Sequence, residues 1–106
     1  MTPHTFDVIR IWTERQPSGV PLFPVTVAHE LRALNVNPLD AADALARLAC
    51  QGNLRRVFAV RDPTGTVLRR VYLHLDDIEP TLRGRFNRPF SRDDADIIPA
   101  FERVLP

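Results

Sequence analysis

Residues 26–75 read TVAHELRALNVNPLDAADALARLACQGNLRRVFAVRDPTGTVLRRVYLHL, and this stretch decides the fold. Thr26 has the side chain of an N-cap, and Val27, Leu31 and Leu34 follow at helical spacing. Asn35 tolerates the left-handed conformation that ends helices, and Val36 is placed to plug a core. Asn37 then caps a further helix, with Pro38 at its first position, a run to about Gln51, and Gly52 as terminator. Its Leu39, Ala42, Leu45, Leu48 and Ala49 keep the three–four spacing of one buried face. Leu54 to Arg61 and Thr66 to Leu75 are strand candidates. Between them Asp62-Pro63-Thr64-Gly65 predicts a hairpin with a three-residue Pro-Thr-Gly loop, proline opening a type I turn and glycine supplying a positive φ. One hairpin face carries Val57, Ala59, Val71 and Leu73 and is assigned to the core. The other carries Arg56, Phe58, Arg70 and Tyr72, and a slip of one residue exchanges the two.

Working outward, Thr2-Pro3 is an N-cap and first helical residue, and Phe6, Val8, Ile9, Ile11 and Trp12 recur at helical spacing to about Gln16. Pro17-Ser18-Gly19 stops that helix, and Pro21 and Pro24 make Val20 to Val25 an extended, edge-like segment. On the other side, Asp76 to Glu79 closes the domain and Pro80 punctuates it. Residues 81–92 read as a basic loop studded with Phe86 and Phe90. Ser91 with Asp94 resembles a capping box. A short helix is expected from Pro99 to Val104, docking through Phe101 and Leu105. The division is therefore residues 1–79 as the main domain and 80–106 as a C-terminal basic-aromatic extension that docks or dimerises.

A chain of 106 residues with 44% hydrophobic and 25% charged residues is expected to form one ordinary globular domain. One cysteine, Cys50, excludes an internal disulfide. With no signal pattern at the N-terminus and no apolar run near the ~20 residues of a membrane span, a soluble cytoplasmic protein is expected. The net charge of +1 hides an uneven distribution. Residues 1–46 hold three arginines against five acids, residues 47–92 ten against four, and residues 93–106 one against four. The basic block contains the hairpin, where contact with a polyanion needs it. The chain has no lysine, so the clustering of arginine carries more weight than its frequency.

Nothing points to an enzyme, a metal or a cofactor. His4, His29 and His74 fall on different elements and share no ligand spacing with Cys50. Asp76-Asp77 and Asp93-Asp94 are adjacent pairs whose side chains diverge, which suits solvated surface rather than acid–base work. The four glycines are scattered, so no phosphate-cradling loop is present.

The order helix, turn, helix, hairpin is the outline of a winged helix-turn-helix, an α+β fold of three helices plus a two-stranded wing. The run from Val25 to Arg56 resembles bacterial winged-helix transcription regulators, the MarR-like and related families: Thr26 opens the second helix, Asn35 sits in the turn, and Leu48, Gly52 and Leu54 match the ending before the wing. The resemblance covers about residues 5–78 and implies a small DNA-binding transcription regulator acting on double-stranded DNA as a homodimer. It implies that Asn37, Asp40, Ala41, Asp43, Ala44 and Arg47 face the major groove, with Arg47 on a base or phosphate. Arg55, Arg56, Arg61, Thr64, Arg69 and Arg70 would hold the backbone through the hairpin, and Arg83, Arg85 and Arg88 would reach along a neighbouring groove. The carboxylates of Asp40 and Asp43 oppose phosphates, although aspartates in a first turn also stabilise the helix dipole by ~0.3–1 kcal/mol each. The alternative is a winged helix used for protein contact, with Asp40 and Asp43 on the third helix and Phe86 and Phe90 as the partner-binding residues. RNA binding, with Phe86 stacking on bases, is a third reading.

Overall fold

The computed structural model describes residues 1–104. The first helix, α1, spans Pro3–Glu14 and starts as its sequence requires: the Thr2 hydroxyl accepts the Thr5 N–H at 3.1 Å, with Pro3 at the first position. Helix α2 spans Pro24–Glu30 and is followed by a 3₁₀ turn, Arg32–Leu34. Its start differs from the expected one. Pro24, not Thr26, sets the boundary, because Pro24 has no N–H to leave unsatisfied and Phe23 before it is extended. Asn35 takes the left-handed conformation at φ 61° and Val36 is buried, as the turn chemistry predicted. Helix α3 spans Pro38–Cys50, capped by the Asn37 side chain accepting the Asp40 N–H at 2.8 Å.

The buried stripe of α3 is rotated from the expected one. Ala41, Ala44, Leu45 and Leu48 are buried and Leu39 is 83% exposed. Ala41 and Ala44 therefore leave the groove-facing set and enter the core with Ile9, Val27, Val36 and Leu54, where small side chains let α3 lie close to its neighbours. Leu34 is likewise 54% exposed rather than buried, because the turn after α2 tightens to 3₁₀ and carries it off the helical face. The indole N–H of Trp12 donates to Glu30 at 2.9 Å and joins α1 to α2. Each large aliphatic fully buried here, such as Ile9, Leu45 and Leu48, contributes roughly 1.5–3 kcal/mol.

Strand β1, Leu54–Arg61, and strand β2, Val67–Tyr72, form the expected antiparallel hairpin. Asp62 pairs with Thr66 across a Pro63-Thr64-Gly65 loop, and Gly65 has φ 90°. Between Ala59 and Arg61 the register breaks, so that residues 67–71 of β2 lie opposite residues 61–59 of β1. Tyr72, in regular register with Phe58, is buried because Ile78, Leu82 and Phe90 cover its face of the sheet, and Leu73, just past the end of β2, is half-exposed, the reverse of their expected burial. Val57, Ala59 and Val71 do pack inward.

The largest departure is C-terminal. Residues 81–92 are not a loop: strands β3, Thr81–Arg83, and β4, Pro89–Ser91, form a second small hairpin. Ser91 caps a 3₁₀ turn through the Asp93 N–H rather than opening an α-helix. The expected helix at 99–104 is instead strand β5, Asp96–Arg103, which pairs antiparallel with all eight residues of β1. Two β-branched residues, Ile97 and Ile98, precede Pro99, which disfavours the helical region for Ile98 and supplies no N–H for a helix. Pro99 is tolerated because β5 lies at the edge of a sheet ordered β2-β1-β5, flanked by one bridge from Leu22 to Phe101. Phe101 is buried; Leu105, the other expected docking residue, lies outside the described residues.

Hence β1 is the central strand. Leu54 and Phe101 belong to the helical core, while Val60, Tyr72 and Ile97 pack with Ile78, Leu82 and Phe90 of the chain that follows β2. The first hairpin is not a free ribbon: β5 covers one of its edges and the β3–β4 hairpin covers part of one face. Among the described residues no helix is long and apolar enough to cross a membrane.

Candidate nucleic-acid interface

The arginines separate by what each one touches. On α3, Arg47 pairs with Asp43 at 3.2 Å, one turn earlier. The exposed face expected to enter a groove therefore holds Leu39, a compensated ion pair and a second carboxylate, Asp40, which lies 3.9 Å from the terminal amine. Asn37 is occupied as the helix cap. In the sheet, Arg55 pairs with the buried carboxylate of Glu102, and Arg56 lies over the Phe101 ring at 5.3 Å. Arg61 sits 3.5 Å from Asp96, its Nε buried and without a hydrogen-bond partner, so this ion pair lacks hydrogen-bond geometry. Arg70 pairs with Glu79 at 2.5 Å and stacks 4.8 Å over Tyr72. Tyr72 donates its hydroxyl to Glu79 at 2.7 Å. Burial and then that hydrogen bond push the Tyr72 phenol up to about 12, and the bond from Tyr72 is the main cause that lowers Glu79.

Arg69, Arg83, Arg85 and Arg88 are different. Each is exposed, and among the described residues none has a carboxylate partner. Arg69 and Arg83 border one surface groove between β2 and β3. Arg85 and Arg88 lie in the β3–β4 turn, and Arg83 donates to the Asn87 carbonyl at 3.0 Å within it. Residues 81–92 contain four arginines and no acid. The eleven residues expected from the sequence to contact DNA thus divide. Arg69 and Arg83 share a groove that the paired Arg70 and Glu79 also line, and Arg85 and Arg88 line a second cleft at the hairpin tips; Arg47, Arg55 and Arg61 are neutralised by carboxylates elsewhere.

A buried carboxylate fixes that hairpin to the first one. Asp62 is 4% exposed. Its Oδ1 accepts from the Thr64 N–H at 2.9 Å, the Thr64 hydroxyl at 2.6 Å and the Thr66 N–H at 3.0 Å. Its Oδ2 accepts from the Arg85 N–H at 2.7 Å, 23 residues away. The Thr64 hydroxyl first, then the Arg85 amide, lower its pKa to about 2 against the opposing effect of burial. A carboxylate so satisfied is a fixed anchor and a poor base. Gly84 makes the approach possible: a Cβ there would meet Asp62 Oδ2 at 2.5 Å. Thr64 is thereby an internal brace, not a free backbone contact.

Sequence reasoning read Asp62 as turn chemistry and missed both it and Gly84 as a tie between hairpins. The available signal was local: an Asp opening a Pro-Thr-Gly turn is the signature of a side chain bonding to the amides ahead of it. The partner 23 residues away has no such signature.

The two phenylalanines part company. Phe90 is half-buried in the second core cluster. Phe86 is 79% exposed and carries Arg85 4.7 Å over its ring. Phe86 and Asn87 both have φ 58°, outside glycine's usual monopoly on that region. Among the described residues no three His, Cys, Asp or Glu side chains come together as a metal site. Cys50 is free and exposed. Comparison with protein-family models, with curated proteins and with solved structures finds no match.

Proposed function

We propose that this chain is a small DNA-binding protein, a variant of the winged helix-turn-helix, that grips the phosphate backbone of double-stranded DNA with Arg69, Arg83, Arg85 and Arg88. One observation carries the reading: four exposed arginines with no carboxylate partner gather on an acid-free hairpin and the adjacent β2 edge. The helix–turn–helix–hairpin order of α2, α3, β1 and β2 supports the fold assignment. The outer face of α3, where Arg47 is paired with Asp43 and Asp40 adds a second carboxylate, argues for backbone contact through the hairpins rather than base reading by that helix. A transcription regulator on this plan takes its affinity chiefly from counterion release.

The test is the salt dependence of binding to random duplex DNA. Four phosphate contacts predict a log–log slope of about −3.6, and replacing Arg83 and Arg88 by Ala flattens it by about two. Arg47→Ala and Arg61→Ala leave the slope unchanged, since both cations are compensated. Undetectable binding at low salt, or a slope indifferent to the four arginines, overturns the proposal.

A second reading has its own observation. Val25, Leu34 and Leu39 are exposed by 70%, 54% and 83%, which fits a protein-contact role for the α2–α3 unit beside Asp40 and Asp43. Failure of the DNA assay, with capture of a transcription or replication protein that Leu39→Ser abolishes, selects it.

A further inference from the structure

We infer that the cleft between the two hairpin tips takes an unstacked nucleobase, so that the site prefers a single-stranded stretch of nucleic acid over a closed duplex; this rests on the proposed phosphate-gripping surface and specifies its ligand. The cleft is about 300 Å³, at the small end of ligand sites. Pro63 stands on one side, Phe86, Pro89 and Phe90 line the other, and Arg85 and Arg88 stand at the same cleft. An apolar slot for a flat ring beside cations for the flanking phosphates is the combination that single-strand binding uses.

The conformation of Phe86 points the same way. A large aromatic at φ 58° is disfavoured by its backbone, and at 79% exposure it regains little by burial. Among the described residues the Arg85 guanidinium over the ring is the one contact of note that the fold itself offers Phe86, and it leaves the aromatic 79% exposed. A π face held out beside guanidinium groups is accounted for by a ligand with a π face of its own. The mounting is rigid. Asp62 holds the Arg85 amide, the Gly84 N–H donates to the Arg88 carbonyl at 2.9 Å, and Arg83 holds the Asn87 carbonyl. The backbone that carries the ring is thus pre-set, and little ordering of the turn remains to be done on binding. Asp62 itself takes no part in reading the base, since both its oxygens are occupied.

The experiment compares an oligothymidine of about 16 nucleotides with a duplex of equal length, by fluorescence anisotropy across a salt series, for the wild type, Phe86→Ala, Phe86→Trp and Arg88→Ala. The single strand should bind more tightly than the duplex. Phe86→Ala should weaken single-strand binding by about 5- to 150-fold without altering its salt slope, because stacking releases no counterion. Phe86→Trp should restore the affinity, and Arg88→Ala should flatten the slope. Phe86 is exposed, so its variants test binding rather than folding. If Phe86→Ala leaves single-strand affinity unchanged, or shifts the slope as Arg88→Ala does, base stacking is refuted while phosphate binding stands. If thymidine monophosphate displaces the strand as effectively as the oligomer, the ligand is a free nucleotide and the inference fails. Binding to neither strand removes both this inference and the function beneath it.

Discussion

Replacing Gly84 by Ala should destabilise the protein by way of a side chain 22 residues earlier. Gly84 has φ −99° and ψ −148°, a negative-φ backbone with no special need of glycine, so the cost is steric rather than conformational. An added Cβ would sit 2.5 Å from Asp62 Oδ2 and 2.8 Å from its Cβ. Neither atom retreats easily, because that carboxylate is bound to three donors in its own turn and to the Arg85 amide. Overpacking of this kind costs typically 1–3 kcal/mol. For a domain of this size about 2 kcal/mol corresponds to a fall in Tm of roughly 10 °C. Thermal melts followed by circular dichroism measure it, and a double-mutant cycle gives the cause. In an Asp62→Gly background all the obstructing atoms, Cβ included, are gone, so Gly84→Ala should fall within about 0.5 kcal/mol of neutral. Equal costs in the two backgrounds, or a cost below about 0.5 kcal/mol in the wild type, would refute the argument that the two hairpins are held by this contact.

Three further outcomes follow from described contacts. The Asp62 carboxyl, held at about 2 against an ordinary 3.8, stabilises the fold above its unfolded value and loses that contribution as pH falls through the folded one; acid melts between pH 4 and 2 should therefore be steep in the wild type and flatter in Asp62→Asn. The chain has one tyrosine, Tyr72, so an absorbance titration of tyrosinate reports it alone and should give a midpoint near 12, returning toward 10 in Glu79→Gln; stability from this group is complete below pH 10 and lost as pH rises through 12. Leu45→Ala should cost about 2–5 kcal/mol whereas Leu39→Ala should stay within about 0.5 kcal/mol, and equal effects on Tm would contradict the rotated stripe of α3.

The legible parts of this sequence were those whose signals are local. Thr2, Asn35, Asn37 and Gly65 each satisfy a cap or turn within a few residues, and each behaves as its chemistry dictates. The stripe of α3 is hard to place from sequence because alanine carries little hydrophobic signal: Ala41 and Ala44 are core by virtue of smallness, while the larger Leu39 lies outside. Strand β5 has no local signature, since nothing near residues 96–103 announces a partner; its pairing with β1 joins segments some forty residues apart in the chain. The clustering of arginines was visible as a block in sequence. Which of them remain uncompensated was not, because Asp96, Glu102 and Glu79 reach Arg61, Arg55 and Arg70 only through the folded sheet.

The sheet order β2-β1-β5 also sets a timetable for biosynthesis. At ~5–20 residues per second, the ribosome needs roughly 2–8 s to add residues 62 to 103 after β1 is complete. For that interval the nascent β1 has β2 available on one flank and bare amides and carbonyls on the other. An unpaired flank of this sort is a template for illicit pairing with another chain. The charged Arg55-Arg56 pair within β1 is suited to discourage such encounters until its late-arriving neighbour emerges.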